Sequence, residues 1–267
     1  MQPLGEQIKI SAVIITFNEE DRLSDALESI RAVADEIVIV DSYSIDRTLA
    51  IARNGMAKVY QNPFHDFGSQ KNFAMSKASH EWVLNLDADE RLSPELAAEI
   101  MAMKTNGWPE APAGFAIKRK TYYLGRWISH SGWYPDKKIR LFKKTKAEWL
   151  GRVHERLAVK GSIAPLQGPI IHYTYRHIHD HIDRLNRYSS IQAEDLVKKY
   201  KHTLRLRLFI LPMATFLRHF VLKRSFLDGF PGLVIALISS WGTALKYLKA
   251  IEIARQQQAK PPGRAKT

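Results

Sequence analysis

Cysteine is absent from the 267 residues of this chain. Its absence excludes a disulfide framework and any metal site built from thiolates, and it is compatible with a reducing, cytoplasmic location. The first fifteen residues lack a long apolar core and carry Glu6 and Lys9, so we expect no secretory signal. With 45% hydrophobic and 25% charged residues, the composition indicates one large globular domain, or a domain with an appendage.

Acidic residues are scarce in the C-terminal quarter of the chain. Residues 198–267 hold 14 Lys and Arg but only 2 Asp and Glu, whereas residues 1–197 hold 26 and 25. The net charge of +13 therefore comes almost entirely from the tail. Because the body is close to neutral, we expect no nucleic-acid partner, and any such affinity would depend on the tail.

The basic tail is also strongly apolar, but it lacks a long uncharged run. The longest, residues 229–245, has 17 residues, whereas a spanning helix needs about 20. Cations interleaved with Leu, Phe and Trp favour contact with a membrane surface at the cytoplasmic leaflet, peripheral or monotopic. A buried helical hairpin, an oligomer interface and a true span are the alternatives. We predict a helical region at 179–257 and a disordered tail at 258–267.

Strand and helix patterns alternate over the first hundred residues. We predict strands at residues 8–16, 36–40, 57–60 and 81–86, and helices at 21–33, 46–53, 70–78 and from Pro94 onward. This alternation predicts an α/β fold with a mostly parallel sheet flanked by helices. Ligands of such sheets bind beyond the carboxyl ends of the strands, where we expect Asp41 and the acidic turn at residues 87–90.

The acidic turn, Asp87-Ala88-Asp89-Glu90, admits two interpretations. Carboxylates at i and i+2 can share one hard cation whose other ligands are water and phosphate oxygens. The same residues would also suit the N-terminus of the following helix, where the macrodipole favours negative charge. The turn alone does not decide between them.

The second half of the chain predicts further strands at residues 115–125, 139–144, 155–160 and 170–175, which would complete the sheet. A loop at 122–136 is rich in aromatic residues, including Trp133 and Tyr134. These aromatic side chains would either stack on a bound ligand as a lid or pack against the C-terminal helices. The alternating histidines of HIHDH, residues 177–181, lack a framework for zinc, and we expect them to face solvent or phosphate.

Four motifs occur in order along the first hundred residues: SAVIITFNEE, EIVIVDSYSIDRT, QKNFAMSKA and WVLNLDADE. Together they resemble the nucleotide-sugar-binding half of the family 2 glycosyltransferases, which have the GT-A fold. The later RLFKK, WLGRVHERL and IIHYTY resemble the lipopolysaccharide core enzymes of that family that add glucose to inner-core heptose. The resemblance implies a GT-A catalytic domain at 1–178, with the donor half at 8–105 and the acceptor half at 106–178.

The resemblance also implies residues that bind the donor. Thr16 and Glu19 would lie by the nucleoside, and Asp41 would accept a hydrogen bond from uracil. Lys71 would lie near the phosphates, unless it only pairs with a carboxylate. Asp87 would contact the ribose or the metal.

A divalent cation, Mg2+ or Mn2+, is implied by the same resemblance. Asp89 would ligate it, and His172 would complete its coordination. For His172 the alternative is a partly buried strand histidine without a metal role.

Glu155 is the implied general base, which takes a proton from the acceptor hydroxyl. Many relatives carry an acidic pair here, whereas this chain has His154-Glu155 followed by Arg156. The alternative is an ordinary glutamate that pairs with Arg152 or Arg156.

The expected activity is inverting transfer of a hexose, with glucose from UDP-glucose as first choice, onto a lipid-linked acceptor such as inner-core heptose. One alternative is a polyprenyl-phosphate sugar synthase, whose phosphate acceptor has less need of a base. Another is a non-catalytic nucleotide-sugar-binding scaffold on the membrane. Self-association would use the C-terminal helices.

Overall fold

The computed structural model describes residues 8–151 and 155–259, which divide into two compact units. The first unit comprises residues 1–120 and 136–173, and the second comprises 121–135 and 174–267. The aromatic loop is thus grouped with the C-terminal helices. Residues 258 and 259 end the last helix instead of starting a disordered tail, and the rest of that tail lies outside the described residues.

The first unit alternates strands and helices as predicted. Its helices are α1 (Leu23–Ile30), α2 (Thr48–Asn54), α3 (Phe67–Lys77) and α4 (Pro94–Asn106). The early strands are β1 (Ile10–Thr16), β2 (Glu36–Asp41), β3 (Lys58–Gln61), β4 (Trp82–Asp87) and β5 (Glu90–Leu92). They are followed by β6 (Pro112–Tyr123), the second unit's β7 (Arg126–Ile128), β8 (Asp136–Lys143), β9 (Ala147–Leu150), β10 (Arg156–Val159), β11 (Ser162–Pro165) and β12 (Ile170–Tyr173).

The main sheet is mixed. Its strands run in the order β3-β2-β1-β4-β8-β6-β12-β5, with β11 beside β6. Strands β3, β2, β1 and β4 are parallel, whereas β8 is antiparallel to both β4 and β6. The predicted α/β class is confirmed, and the parallel half is the part whose strands the sequence marks most clearly.

The parallel half of the sheet is buried on both faces. Ile10 and Ile14 of β1 pack in one apolar cluster with Leu23 and Leu96 of helices α1 and α4. Val13 points into a second cluster, which includes Ala74 of α3. Burial on both faces explains why these strands are mostly apolar instead of alternating apolar and polar residues.

Two strand predictions need correction. The strand predicted at residues 155–160 does not complete the main sheet: β10 pairs only with β9 in a separate two-stranded ribbon. The acidic turn leads first into the short strand β5, before the helix predicted to follow it. Strand β12 pairs with β5 in antiparallel orientation, so the late predicted strand lies beside the acidic turn.

The second unit consists of β7 with the end of β6, and three helices. These are α5 (Ile178–Tyr200), α6 (Leu204–Leu217) and α7 (Gly229–Ala259), with a π-helical segment, Arg218–Leu222, after α6. Asp228 is 1% exposed and accepts hydrogen bonds from the backbone of Ser129 and His130 and from the Ser131 hydroxyl. It therefore fixes the loop after β7 against the start of α7.

One helical stretch of the described chain, Ser225–Gln258, has the length and apolar composition that would let it cross a membrane. Length and composition are the whole basis of that assignment, and 44% of its apolar window is buried inside the protein. The same stretch therefore also fits the core helix of the second unit.

A buried carboxylate near the start of β2 stabilises the first unit. Glu36 binds the hydroxyls of Ser11 and Ser79 and the ammonium of Lys58. Burial raises the pKa of Glu36, but these partners more than offset it and bring the pKa to about 2 from 4.5. Because the pKa of Glu36 is lower in the folded state, the carboxylate adds stability at pH values above its unfolded-state pKa. That stability is lost as the pH falls toward 2.

We expect Glu36→Gln to destabilise the protein by about 1–3 kcal/mol at neutral pH, because the shift is equivalent to roughly 3 kcal/mol. The difference between wild type and variant should shrink at about pH 3. Urea unfolding at both pH values measures it, with the exposed Glu28→Gln as control. A difference that does not change with pH would contradict this role.

Candidate active site

Three predicted site residues lie at the carboxyl ends of neighbouring strands. Thr16 ends β1 and is paired in register with Asp41 at the end of β2. Asp87 ends β4, and its register partner on β1 is Ile15. The parallel arrangement therefore brings Thr16, Asp41 and Asp87 to one edge of the sheet, as the sequence predicts.

Asp41 organises the predicted nucleoside end of this edge. Its side chain is fully buried and accepts hydrogen bonds from the Thr16 hydroxyl at 3.1 Å and from the Ser44 backbone N–H at 2.8 Å. Glu19 lies in the neighbouring turn, where the Thr48 hydroxyl accepts a hydrogen bond from its backbone N–H at 2.8 Å. The turns after β1 and β2 are thus tied to fixed partners.

Lys71 joins two predicted site carboxylates. It lies on α3, is 2% exposed, and places Nζ 2.9 Å from Asp87 Oδ1 and 3.0 Å from Glu155 Oε1. The Trp149 ring lies beneath the ammonium at 4.6 Å, a cation–π contact. The structure therefore brings the predicted base next to the acidic end of β4, although 84 residues separate Lys71 from Glu155.

Asn72, which the sequence did not single out, explains how Glu155 is held there. Its side-chain amide donates to the Trp149 carbonyl at 2.9 Å, and its oxygen accepts from the Trp149 N–H at 3.0 Å. These two hydrogen bonds fix β9 to α3. Strand β10, the partner of β9, begins directly after Glu155. Arg152, an alternative partner of Glu155, lies outside the described residues. So does His154, which stands where many relatives carry an acidic residue.

Arg140 is a second side chain of this network that the sequence did not reveal. Its guanidinium is buried and contacts Asp87 Oδ2 at 2.7 Å, Glu90 Oε1 at 2.5 Å and Asn85 Oδ1 at 3.2 Å. Arg119 reaches the same Glu90 oxygen at 3.1 Å. The strand containing RLFKK thus supplies the cation that holds the acidic turn together.

The charges in this network shift the pKa values of Asp87 and Arg140. Desolvation favours neutral Asp87, but Arg140 and Lys71 outweigh it and hold the pKa of Asp87 well below its ordinary value. Burial acts against the charge on Arg140, yet Asp87 and Glu90 raise the pKa of Arg140. Asp87 is therefore an ionised carboxylate that is already neutralised by two cations.

Asp89 and His172 form a separate pair. His172 Nε2 lies 3.4 Å from Asp89 Oδ2, and Arg22 Nη1 lies 3.7 Å from the same oxygen. The pairing of β12 with β5 creates this proximity, and the Tyr173 N–H donates to the Asp89 carbonyl at 2.9 Å. The turn therefore separates its two aspartates, since Asp87 faces the basic network and Asp89 faces the histidine.

One carboxylate and one imidazole fit a divalent cation whose remaining ligands are diphosphate oxygens and water. In the described residues, no group of three or more His, Cys, Asp or Glu side chains is placed to hold a metal ion. Asp89 and His172 are the two side chains that would hold the predicted Mg2+ or Mn2+ ion. Asp87 is engaged by Lys71 and Arg140.

Trp133 and Tyr134 belong to the second unit. The Trp133 ring lies 5.4 Å from that of Tyr123 and 6.2 Å from that of Tyr175, so it packs within an aromatic cluster. Whether this loop also closes over a ligand stays a prediction. His181 joins the cluster, stacked on Tyr175 at 4.1 Å and bonded through Nδ1 to the Tyr123 hydroxyl at 2.8 Å.

The expectation that all three histidines of HIHDH face solvent or phosphate is wrong for His181. This side chain is 7% exposed, and burial with the nearby charge of Arg184 lowers its pKa to about 4. His181 is therefore a neutral core residue of the second unit. His179 remains exposed and pairs with Asp183 at 3.1 Å.

Comparison with known proteins places this geometry in a family. Residues 11–157 match the model described as glycosyl transferase family 2. A glycosyltransferase of Rickettsia typhi described as uncharacterised is 35% identical over 92% of this chain and 88% of its own length. The lipopolysaccharide core biosynthesis glycosyltransferase LpsC of Rhizobium meliloti is 28% identical over 95% of both chains.

Among solved structures, S. aureus TarS 1-349 aligns with 94% of this chain and 92% of its own, at 15% identity and a TM-score of 0.44. The family model covers more than half of this chain, including the elements that position Thr16, Asp41, Lys71, Asp87 and Glu155. The Rickettsia relative extends the match over nearly the whole length. This chain belongs to the family 2 glycosyltransferases.

Proposed function

We propose that this protein transfers a hexose, with inversion, from a UDP-sugar to a lipid-linked saccharide at the cytoplasmic face of a bacterial inner membrane. UDP-glucose is the proposed donor and inner-core heptose of lipopolysaccharide the proposed acceptor. The likeness to LpsC supports the acceptor class. The main structural support is that the ammonium of Lys71 contacts both Asp87, at the acidic turn, and Glu155, the proposed general base.

In this proposal, different residues at the edge of the sheet bind different parts of the donor. Asp41 and Thr16 hold the base of the nucleotide, with Glu19 in the adjacent turn. Asp89 and His172 would hold the divalent cation, which when bound would stabilise negative charge on the diphosphate. Lys71 adds a fixed positive charge between the diphosphate end of the donor and the general base, Glu155.

The proposed reaction is a single displacement. Glu155 takes the proton from the acceptor hydroxyl as that oxygen attacks the anomeric carbon. The bond from the anomeric carbon to the diphosphate oxygen breaks at the same time, and UDP leaves with the electron pair. Because the acceptor enters from the face opposite the leaving group, the anomeric configuration inverts without a covalent sugar–enzyme intermediate.

The direct test supplies purified protein with radiolabelled UDP-glucose, Mn2+ and heptose-terminated lipopolysaccharide core. Transfer of label to the core, with release of UDP, is the expected result. A polyprenyl phosphate is the second acceptor to offer, because the basic and apolar second unit would suit it too. Label on the polyprenyl phosphate alone would overturn the saccharide acceptor and leave the donor half of the proposal intact.

Removal of the Asp41 carboxylate should weaken donor binding. We expect Asp41→Ala to raise the dissociation constant of UDP by about 10- to 100-fold, since a hydrogen bond to a charged group contributes roughly 1.5–3 kcal/mol. The turnover number at saturating donor should change little. Isothermal titration and steady-state kinetics measure the two quantities.

Ser44→Ala is the matched control for Asp41. Ser44 hydrogen-bonds Asp41 from the adjacent turn, so its loss tests whether turn geometry alone explains the effect. An equal loss of UDP affinity in Ser44→Ala would contradict a direct contact between Asp41 and the base.

A further inference from the structure

The outer face of α6 is an exposed apolar stripe. Leu206, Phe209, Met213 and Leu217 recur at helical spacing, and they are 61%, 80%, 62% and 50% exposed. Side chains three or four residues apart lie on one face of a helix. The stripe is therefore continuous along the whole helix.

The opposite face of α6 is covered by protein. Leu204, Leu208 and Leu211 pack in one cluster with Tyr247 and Ile251 of α7. A helix that is apolar all round is one that is buried on all sides or lies in a membrane. On α6 the protein covers only one of the two faces.

The exposed apolar surface continues beyond α6. The π-helical segment, the turn before α7 and the first turn of α7 expose further large side chains, namely Val221, Leu222, Phe226, Leu227 and Phe230. Leu222 is 77% exposed and Phe230 is 68% exposed. Large exposed apolar patches mark sites of protein or membrane interaction.

Charge decides between these two kinds of partner. Residues 198–227 hold eight Lys and Arg and no Asp or Glu. Arg205 and Arg207 lie at the start of α6, and Arg218 and Arg224 lie at the far end of the stripe. The next acidic residue, Asp228, is 1% exposed and occupied by the loop after β7. A partner that fits this surface has an apolar interior for the stripe and anionic groups at its surface for the arginines. A leaflet rich in acidic phospholipid has both.

We propose that the outer face of α6 and the surface formed by residues 221–230 bind an anionic phospholipid leaflet, with the axis of α6 parallel to the membrane. This inference deepens the proposed function and rests on it for the membrane-held acceptor. The apolar stripe enters the acyl region, and the arginines at its two ends contact headgroup phosphates.

A spanning arrangement fits these residues less well. The uncharged run within α6, residues 208–217, has ten residues, half of the roughly 20 that span a bilayer. Helix α7 is longer, but it packs against the charged helix α5. Lys249 of α7 donates to the side chains of Asn186, Ser189 and Ser190 on α5. If α7 spanned, it would draw α5 with its charges into the hydrocarbon.

Vesicle flotation of the purified full-length protein tests the proposal. Wild type should float with vesicles of phosphatidylcholine and phosphatidylglycerol in equal parts, bind phosphatidylcholine alone far less, and dissociate in high salt. Phe209→Gln and Met213→Gln should each lower partitioning by about 10-fold. Leu248→Gln, at an exposed position of α7, is the matched control and should bind as wild type.

The charges are tested by the double variant Arg205→Gln/Arg207→Gln, which should lose about 10-fold or more of its preference for the anionic vesicles. Circular dichroism melts of each variant should match wild type, because the changed side chains are solvent-exposed or partly so. Unchanged vesicle binding by Phe209→Gln and Met213→Gln would overturn the proposal. Equal binding of wild type to neutral and anionic vesicles would also overturn it, as would a stable dimer in solution that does not bind vesicles.

UDP binding, measured on the same samples, separates this inference from the proposed function. Vesicle binding without UDP binding would contradict the proposed function and leave the membrane surface standing. UDP binding and sugar transfer without vesicle binding would overturn only the membrane surface.

Discussion

Glu155→Gln is expected to lower the turnover number by about 100- to 10,000-fold, the contribution typical of a general base. Glutamine keeps the shape of the side chain and can still accept a hydrogen bond from Lys71, so the local structure should survive. It cannot take a proton from the acceptor hydroxyl. Steady-state transfer of labelled glucose measures the loss.

The affinity for UDP should stay within about 3-fold of wild type in Glu155→Gln, because the residue acts on the acceptor side. Glu148→Gln is the matched control, since Glu148 is an exposed glutamate on the partner strand of the same ribbon. It should retain full activity. A Glu155→Gln enzyme with near-normal turnover would reject Glu155 as the base and favour a phosphate acceptor, which needs none.

Arg140→Met is expected to destabilise the protein by about 3–5 kcal/mol, since removing one member of a buried ionic network leaves the others unpaired. Asp87 and Glu90 would lose their shared cation, and Arg119 contacts only Glu90 of the two. Methionine is apolar and of similar length, so packing is largely retained. Urea unfolding followed by circular dichroism measures the change.

The matched control is Arg31→Met, because Arg31 pairs with Glu28 on the surface, where the two side chains are 53% and 73% exposed. That variant should lie within about 0.5 kcal/mol of wild type. Arg140→Lys keeps the charge but not the planar fork, and should fall between the two. If Arg140→Met were as stable as Arg31→Met, the network would not hold the acidic turn.

The parallel half of the fold could be read from the sequence because its strands carry their signal locally. Strand β1 is mostly apolar and rich in β-branched residues, and each early strand ends at a polar turn. The carboxyl ends of parallel strands share one edge, so the proximity of Asp41 and Asp87 follows from topology alone. Strand β5 has three residues and no period to detect, so the contact between Asp89 and His172 could not follow from the pattern of the residues.

Arg140 and Asn72 were not predicted because their partners are distant in the chain. Arg140 stands in IRLFKK, where charged residues look like a solvated face, and its partners Asp87 and Glu90 lie 53 and 50 residues away. His181 shows the opposite error. HIHDH is polar locally, but α5 turns this one histidine toward Tyr123, 58 residues earlier. In each case long-range packing outweighed the local pattern.

In the proposed function, Asp89 would hold a divalent cation that binds the diphosphate of the donor. Titration of UDP into wild type and Asp89→Asn, each with and without Mn2+, tests it most directly. We expect Mn2+ to raise the affinity of wild type for UDP on the order of 10- to 100-fold and to leave Asp89→Asn almost unchanged. Equal UDP affinity in wild type with and without Mn2+, or full Mn2+ dependence in Asp89→Asn, would contradict it.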